Sequence, residues 1–140
     1  MSAYVVLDTD VASLSFRGRL PPRLSTALVG RSTAVTFVTV GEMTKWAELR
    51  SWGLTNRQKL DHWLSGQVRL SYDDVVAQNW GHLAAAAQRR GRVTPANDTW
   101  IAACCLADGL PLATLNFKDY ADFVDHHGLA LVSQSNRGQR

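Results

Sequence analysis

The sequence predicts an α/β fold with a mostly parallel sheet and helices on both faces, in three layers. Two observations carry this. Short apolar, β-branched runs alternate with helical patterns along the whole length. The connections between successive runs are long enough to hold a crossover helix, which parallel strands require. The chain has 140 residues, which suits one domain with a sizeable core.

Each element has its own signal. Tyr4 to Leu7 reads as a buried strand. Asp10 is placed to cap a helix through Val11, Leu14 and Ser15, ended by Gly18. Pro21 and Pro22 mark a turn into a second short helix. Thr33 to Val40, TAVTFVTV, is the strongest strand signal because of its β-branched residues. A helix through Met43, Trp46, Ala47 and Leu49 follows, up to Gly53, with Thr39 and Glu42 spaced as a capping box. Thr55 and Gln58 fit a capping box for a helix carrying Leu60, Trp63 and Leu64. Gln67 to Leu70 reads as a weak strand. Ser71 and Asp74 form another such box, opening an Ala-rich helix that ends at Arg89-Arg90-Gly91. Thr94 and Pro95 open a helix with Ile101, Ala102, Cys105 and Leu106 inward, closed by Gly109. Pro111 to Leu115 is a strand, Lys118 to Val124 a short helix and Leu129 to Val132 a last strand. Residues 1–133 form the domain, and residues 134–140, QSNRGQR, a polar tail.

Composition narrows the function. Hydrophobic residues make up 46%, which argues against disorder. The formal charge of +3 and a pI of about 9.2 are compatible with a polyanionic partner. No run approaches the roughly 18–20 apolar residues of a membrane span. The N-terminal apolar run is too short for a signal peptide, so a cytoplasmic location without membrane attachment is expected. Cys104 and Cys105 are adjacent and cannot bridge each other; they read as small buried hydrophobes in a reducing compartment. His62, His82, His126 and His127 show no spacing typical of zinc and no triad partner, and His126-His127 reads as part of a polar loop.

The chemistry lies in four dispersed acids. Asp8 ends YVVLD, Glu42 follows FVTVG, Asp98 opens a helix in PANDTW and Asp119 follows LATLNFK. Taken singly, each has an ordinary reading as a cap, a first-turn acid or a surface charge. Jointly they fall on one edge of the sheet, where α/β proteins bind ligands. Carboxylates gathered there repel unless a cation compensates, and oxygen donors suit Mg²⁺ or Mn²⁺.

The order LDTD, TVGEMTKWAE, ANDTWIAA, LPLATLNFKDY resembles a PIN-domain ribonuclease, and more narrowly the VapC toxins of type II toxin–antitoxin pairs. The similarity runs from Val5 to about Val132. It implies a PIN-like α/β/α sandwich and metal-dependent cleavage of structured RNA, such as tRNA or rRNA, that inhibits translation and growth. It implies Asp8, Glu42, Asp98 and Asp119 as catalytic and metal-binding residues, with Asp8 and Asp98 as the best direct ligands. Some relatives carry the fourth acid where this chain has Asn116, others near Asp119. Thr9 and Thr114 match hydroxyl positions near the site, and Met43 stands where leucine is commoner. A VapB-type antitoxin, an RNA substrate and a homodimer are the implied partners. The middle helices, with Trp46, Trp52 and Trp63, match the region of antitoxin and dimer contacts, while Trp100 reads as core. Arg17, Arg19, Arg23, Arg89, Arg90 and Arg92 are candidates to meet an RNA backbone.

Two other classes stay open. Asp8-Thr9-Asp10-Val11 resembles the opening of haloacid-dehalogenase-type phosphatases, in which Asp8 would be the nucleophile and Asp10 the general acid. A catalytically silent PIN-like binding module is the third.

Overall fold

A computed structural model describes residues 4–132; the tail at 134–140 lies outside the described residues. Four strands and seven helices follow one another: β1 (Tyr4–Leu7), α1 (Thr9–Phe16), α2 (Pro22–Leu28), β2 (Ser32–Thr36), α3 (Phe37–Leu49), α4 (Leu54–Ser65), β3 (Val68–Leu70), α5 (Asp74–Arg89), α6 (Ala96–Asp108), β4 (Leu112–Ala113) and α7 (Phe117–His127). The sheet order is β3-β2-β1-β4, all parallel. The chain winds from β1 towards β3 and then returns to the other side of β1. The point where the winding reverses lies between β1 and β4, and open α/β sheets form their ligand crevice at such a point.

Alternation along the strands builds two cores. Val6, Ala34 and Leu112 face one way and pack with Val76, Leu83, Ile101, Tyr120 and Phe123 from α5, α6 and α7. Val5, Leu7, Val35 and Ala113 face the other way, onto Val11, Leu24, Met43, Ala47, Leu60 and Leu64. The expected three-layer α/β/α sandwich is the fold observed. Cys104 and Cys105 are free and buried in the first core, as expected of small hydrophobes.

Several local expectations need correction. TAVTFVTV is not one strand: pairing stops at Thr36, and Phe37 begins α3. Thr36, not Thr39, caps that helix, its Oγ1 accepting from the Thr39 amide at 3.4 Å. Val38 packs into one core while Met43 and Ala47 enter the other, so tertiary burial on both sides overrides β propensity. Asp8 replaces Asp10 as the cap of α1, and Asp73 replaces Ser71 as the cap of α5. Helix α4 starts at Leu54 behind Gly53 without a side-chain cap, so Thr55 and Gln58 are no capping box. Strand β4 is only two residues long. The expected strand at 129–132 shrinks to one bridge, Leu131 to Leu112. Gly109 closes α6 as expected; its φ of 65° is a left-handed conformation that glycine adopts without a Cβ clash.

A candidate active site of carboxylates and hydroxyls

Each acid is delivered by a different element. Asp8 is the first residue after β1, and its amide donates to the Ala113 carbonyl at 3.1 Å, which locks it beside β4. One carboxylate oxygen caps α1 by accepting from the Val11 amide at 2.9 Å; the other accepts from the Thr114 hydroxyl. Both partners are neutral, and Asp8 is buried. Burial therefore dominates and lifts its pKa to about 6, with charge from Asp10 and Asp98 adding to the rise.

Asp98 comes from the first turn of α6. Tyr120, itself buried, donates its hydroxyl to Asp98 at 3.2 Å. Desolvation again is the largest influence and raises the Asp98 pKa to about 6. Asp119, which shares a hydrogen bond with it, and Glu42 push in the same direction. Asp98 therefore lies within electrostatic reach of Asp8, Glu42 and Asp119.

Glu42 lies in the second turn of α3, not the first, because the helix begins early. Thr9 donates its hydroxyl to Glu42 Oε1 at 2.6 Å, and Asn97 donates its amide to Oε2 at 3.2 Å. Since the Thr9 proton goes to Glu42, Thr39 supplies the proton in the 2.9 Å contact between the two threonine hydroxyls. Asp119 sits in the first turn of α7 and accepts from the Asn116 amide at 2.6 Å. The Asn116 backbone N–H in turn donates to Thr114 Oγ1 at 2.9 Å.

The hydrogen bonds form two groups, Glu42 with Thr9, Thr39 and Asn97, and Asp8 with Thr114, Asn116 and Asp119, while Asp98 is held by Tyr120. Asn116 and Asp119 share one corner as hydrogen-bond partners. The sequence singles out neither Thr39 nor Asn97 as a site residue: Thr39 has the spacing of a cap, and Asn97 stands beside the stronger signal of Asp98. Asp10 is exposed and takes no part in this network. Among the described residues the ion pairs are Arg57 with Glu48 and Arg90 with Asp122, so no cationic side chain neutralises the cluster. Nor do any three acids, histidines or cysteines there stand close enough to enclose a metal ion by themselves.

The remaining candidates divide. Arg17, Arg19, Arg23, Arg89 and Arg92 are exposed. Arg90 is engaged with Asp122 through two hydrogen bonds, at 3.0 and 2.6 Å, and contacts His127 at 3.0 Å. That corrects two expectations: Arg90 is a structural tie, and His126-His127 closes α7 rather than forming a loop. Trp52 stacks on Phe16 at 5.9 Å and Trp63 meets it edge-on at 6.1 Å. Trp100 is only half-buried and, with Phe37, walls a cleft beside Glu42.

The architecture has close counterparts among solved structures. The fold superposes on VapBC2 from Rickettsia felis bound to a promoter DNA fragment, with TM-score 0.76, 20% identity and coverage of 91% of this chain and 96% of that one. It superposes likewise on VapBC-5 from Mycobacterium tuberculosis (TM-score 0.70, 26% identity, 93% and 98% coverage) and on FitAcB from Neisseria gonorrhoeae (0.68, 21%, 91% and 95%). No family model and no curated protein matches the sequence. The fold is that of a PIN domain, in the form found in VapBC-type toxin–antitoxin pairs. The resemblance read in the motifs is borne out by this architecture. Among the described residues no helix is long and apolar enough to cross a membrane.

Proposed function

We propose that the protein is the toxin of a type II toxin–antitoxin pair and acts as a Mg²⁺- or Mn²⁺-dependent endoribonuclease on structured RNA. One observation carries the reading: Asp8 follows β1 at the winding reversal and lies within electrostatic reach of Asp98 from α6, and among the described residues neither carboxylate has a cationic partner. A site that stores carboxylate repulsion is one that a divalent cation relieves. The donor set fits such an ion. It is all oxygen, and Mg²⁺ is commonly held by one or two carboxylates together with water and substrate phosphate, not by a closed protein cage.

Asp8 and Asp98 would hold the ion, with Glu42 and Asp119 acting through water. When bound, the cation supplies Lewis-acid stabilisation of the phosphoryl oxygens and lowers the pKa of a water. The chain's own residues do the rest. Thr114 and the α1 amide fix the Asp8 carboxylate. Thr9 and Asn97 hold both oxygens of Glu42, which keeps that carboxylate aimed. Asn116 orients Asp119.

A VapB-type antitoxin is the proposed partner, and a second copy of the chain completes a dimer. The open cleft of about 510 Å³ lined by Phe16, Thr55, Lys59, His62 and Trp63 has the aromatic floor and polar rim that suit a docked amphipathic segment.

The test is incubation of purified protein with total cellular RNA in Mg²⁺, Mn²⁺ or EDTA, beside Asp8→Asn. Discrete metal-dependent fragments, absent from the mutant, are expected. A folded protein that leaves RNA intact yet releases phosphate from a small phosphoester, with Asp10 essential, would instead support the phosphatase reading.

A further inference from the structure

A second feature touches the acid cluster without belonging to it. An open cleft of about 330 Å³ lies against Glu42, between Phe37, Gly41 and Lys45 of α3 and Asn97 and Trp100 of α6. Its walls are aromatic. Phe37 meets Trp100 at 5.8 Å and Tyr72 at 5.6 Å, both edge-on, and Trp100 stacks on Trp80 at 5.2 Å. Four rings therefore brace one another, and Phe37 and Trp100 present half-buried surfaces that stay in place without a ligand. Exposed Lys45 adds a cation to the rim. Asn97 offers an amide at the floor, already donating to Glu42. Gly41 keeps the helix surface low at the cleft, with nothing within 4 Å of where a Cβ would stand.

Aromatic walls, an amide and a cation, continuous with a carboxylate cluster, match one occupant better than others. We infer that this cleft receives an unpaired nucleobase of the RNA next to the scissile phosphate, with Phe37 and Trp100 as the stacking walls. Lys45 then faces the neighbouring phosphate of the same strand. This rests on the ribonuclease reading, because it supposes a phosphate at the acids. Single-stranded bases stack on rigid aromatics without needing a defined sequence, and a lysine at the rim complements their backbone. The base preference of the cut is then set on the α3–α6 side of the site. Asn97 is the group able to read a base edge, at the expense of its bond to Glu42.

The experiment uses the full chain. A mixed-sequence oligoribonucleotide carrying 4-thiouridine is irradiated with the protein in EDTA, and crosslinked peptides are mapped. In parallel, cut sites and rates on total RNA with Mn²⁺ are compared for wild type, Phe37→Leu and Lys45→Ala. Crosslinks in the segments holding Phe37 or Trp100 are expected. Phe37→Leu should raise KM by roughly 5- to 100-fold, the range for losing one stacked base. Lys45→Ala, at an exposed position that leaves packing intact, should raise KM by about threefold and weaken its salt dependence. Wild-type cutting with no crosslink at the cleft and unchanged KM in both variants overturns the subsite alone. Loss of a dimer in the same variants, with KM unchanged for the monomer, also overturns it and assigns the cleft to a second copy. No cutting by wild type under any metal condition removes the ribonuclease reading itself.

Discussion

Asp8 and Asp122 are almost equally buried, at 4% and 5% exposure, yet their carboxyls move in opposite directions. Asp122 accepts two hydrogen bonds from Arg90, and that guanidinium holds its pKa below the usual carboxylate value. Asp8 accepts from a threonine and an amide, both neutral, and burial lifts it to about 6. Burial of an acid is therefore common to a tie and to a candidate site. What separates them is whether the fold supplies the counter-charge. The Arg90–Asp122 pair joins the end of α5 to α7 and is complete within the chain. Among the described residues no cation pairs with Asp8 or Asp98, and an unbalanced charge is where chemistry is to be sought.

The comparison breaks most sharply in activity. Asp8→Asn and Asp98→Asn should each lower RNA cleavage roughly a hundredfold or more, the scale of losing one charge-stabilising group in a transition state. Arg90→Met and Asp122→Asn should leave the cleavage rate of the folded protein unchanged. Equal losses in both sets, measured on fragment yield, would erase the distinction. A smaller kinetic effect is expected at the orienting groups. Thr9→Val should slow cleavage about 10- to 100-fold with little change in RNA affinity, as for a residue that aims a ligand through one hydrogen bond.

Stability should move the other way. The folded state holds the Asp8 proton more tightly than an ordinary aspartate, with its pKa of 3.8, would. Asp8 therefore favours folding below about pH 3.8, and that contribution is lost as pH rises through 6. Without metal at about pH 7.5, Asp8→Asn should be more stable than wild type by up to ~3 kcal/mol, a gain that vanishes towards pH 4. Chemical denaturation across that range checks the sign. Asp122 behaves in reverse: its depressed pKa stabilises the fold above the ordinary carboxylate range and is lost as pH falls, so Arg90→Met should lower Tm at neutral pH and matter less in acid.

The smallest expected effect is a thermal shift. Mg²⁺ or Mn²⁺ at a hundred times its dissociation constant should stabilise wild type by about 2.7 kcal/mol. Asp98→Asn should show little of it. A shift of equal size in that mutant would place the ion elsewhere.

The layers were legible in the sequence because they rest on strong, local signals. β1 matches its expected range, residue for residue, since an apolar run cut off by Asp8 has few alternatives. The α3 start was not legible. Nothing in TAVTFVTV marks where sheet pairing ends, because Thr36 and Thr39 are chemically alike, and only the packing of Val38, Met43 and Ala47 on two cores decides between them. That shift of three residues moved Glu42 into the second turn, within reach of Thr9 and Asn97. The short β4 was overread for a related reason. Pro111 to Leu115 is apolar but for Thr114, which turns its hydroxyl to Asp8, and Leu115 is exposed. The Arg90–Asp122 tie spans 32 residues and no local pattern announces it.

Asp8 and Thr114 are 106 residues apart. Synthesis runs from Asp8 towards Thr114, so the strand and hydroxyl that seat Asp8 emerge long after it. At about 5–20 residues per second the nascent chain carries the first acid for several seconds without β4 or the α6 and α7 acids. The order of manufacture thus keeps the site unassembled until β4 and α7 have emerged.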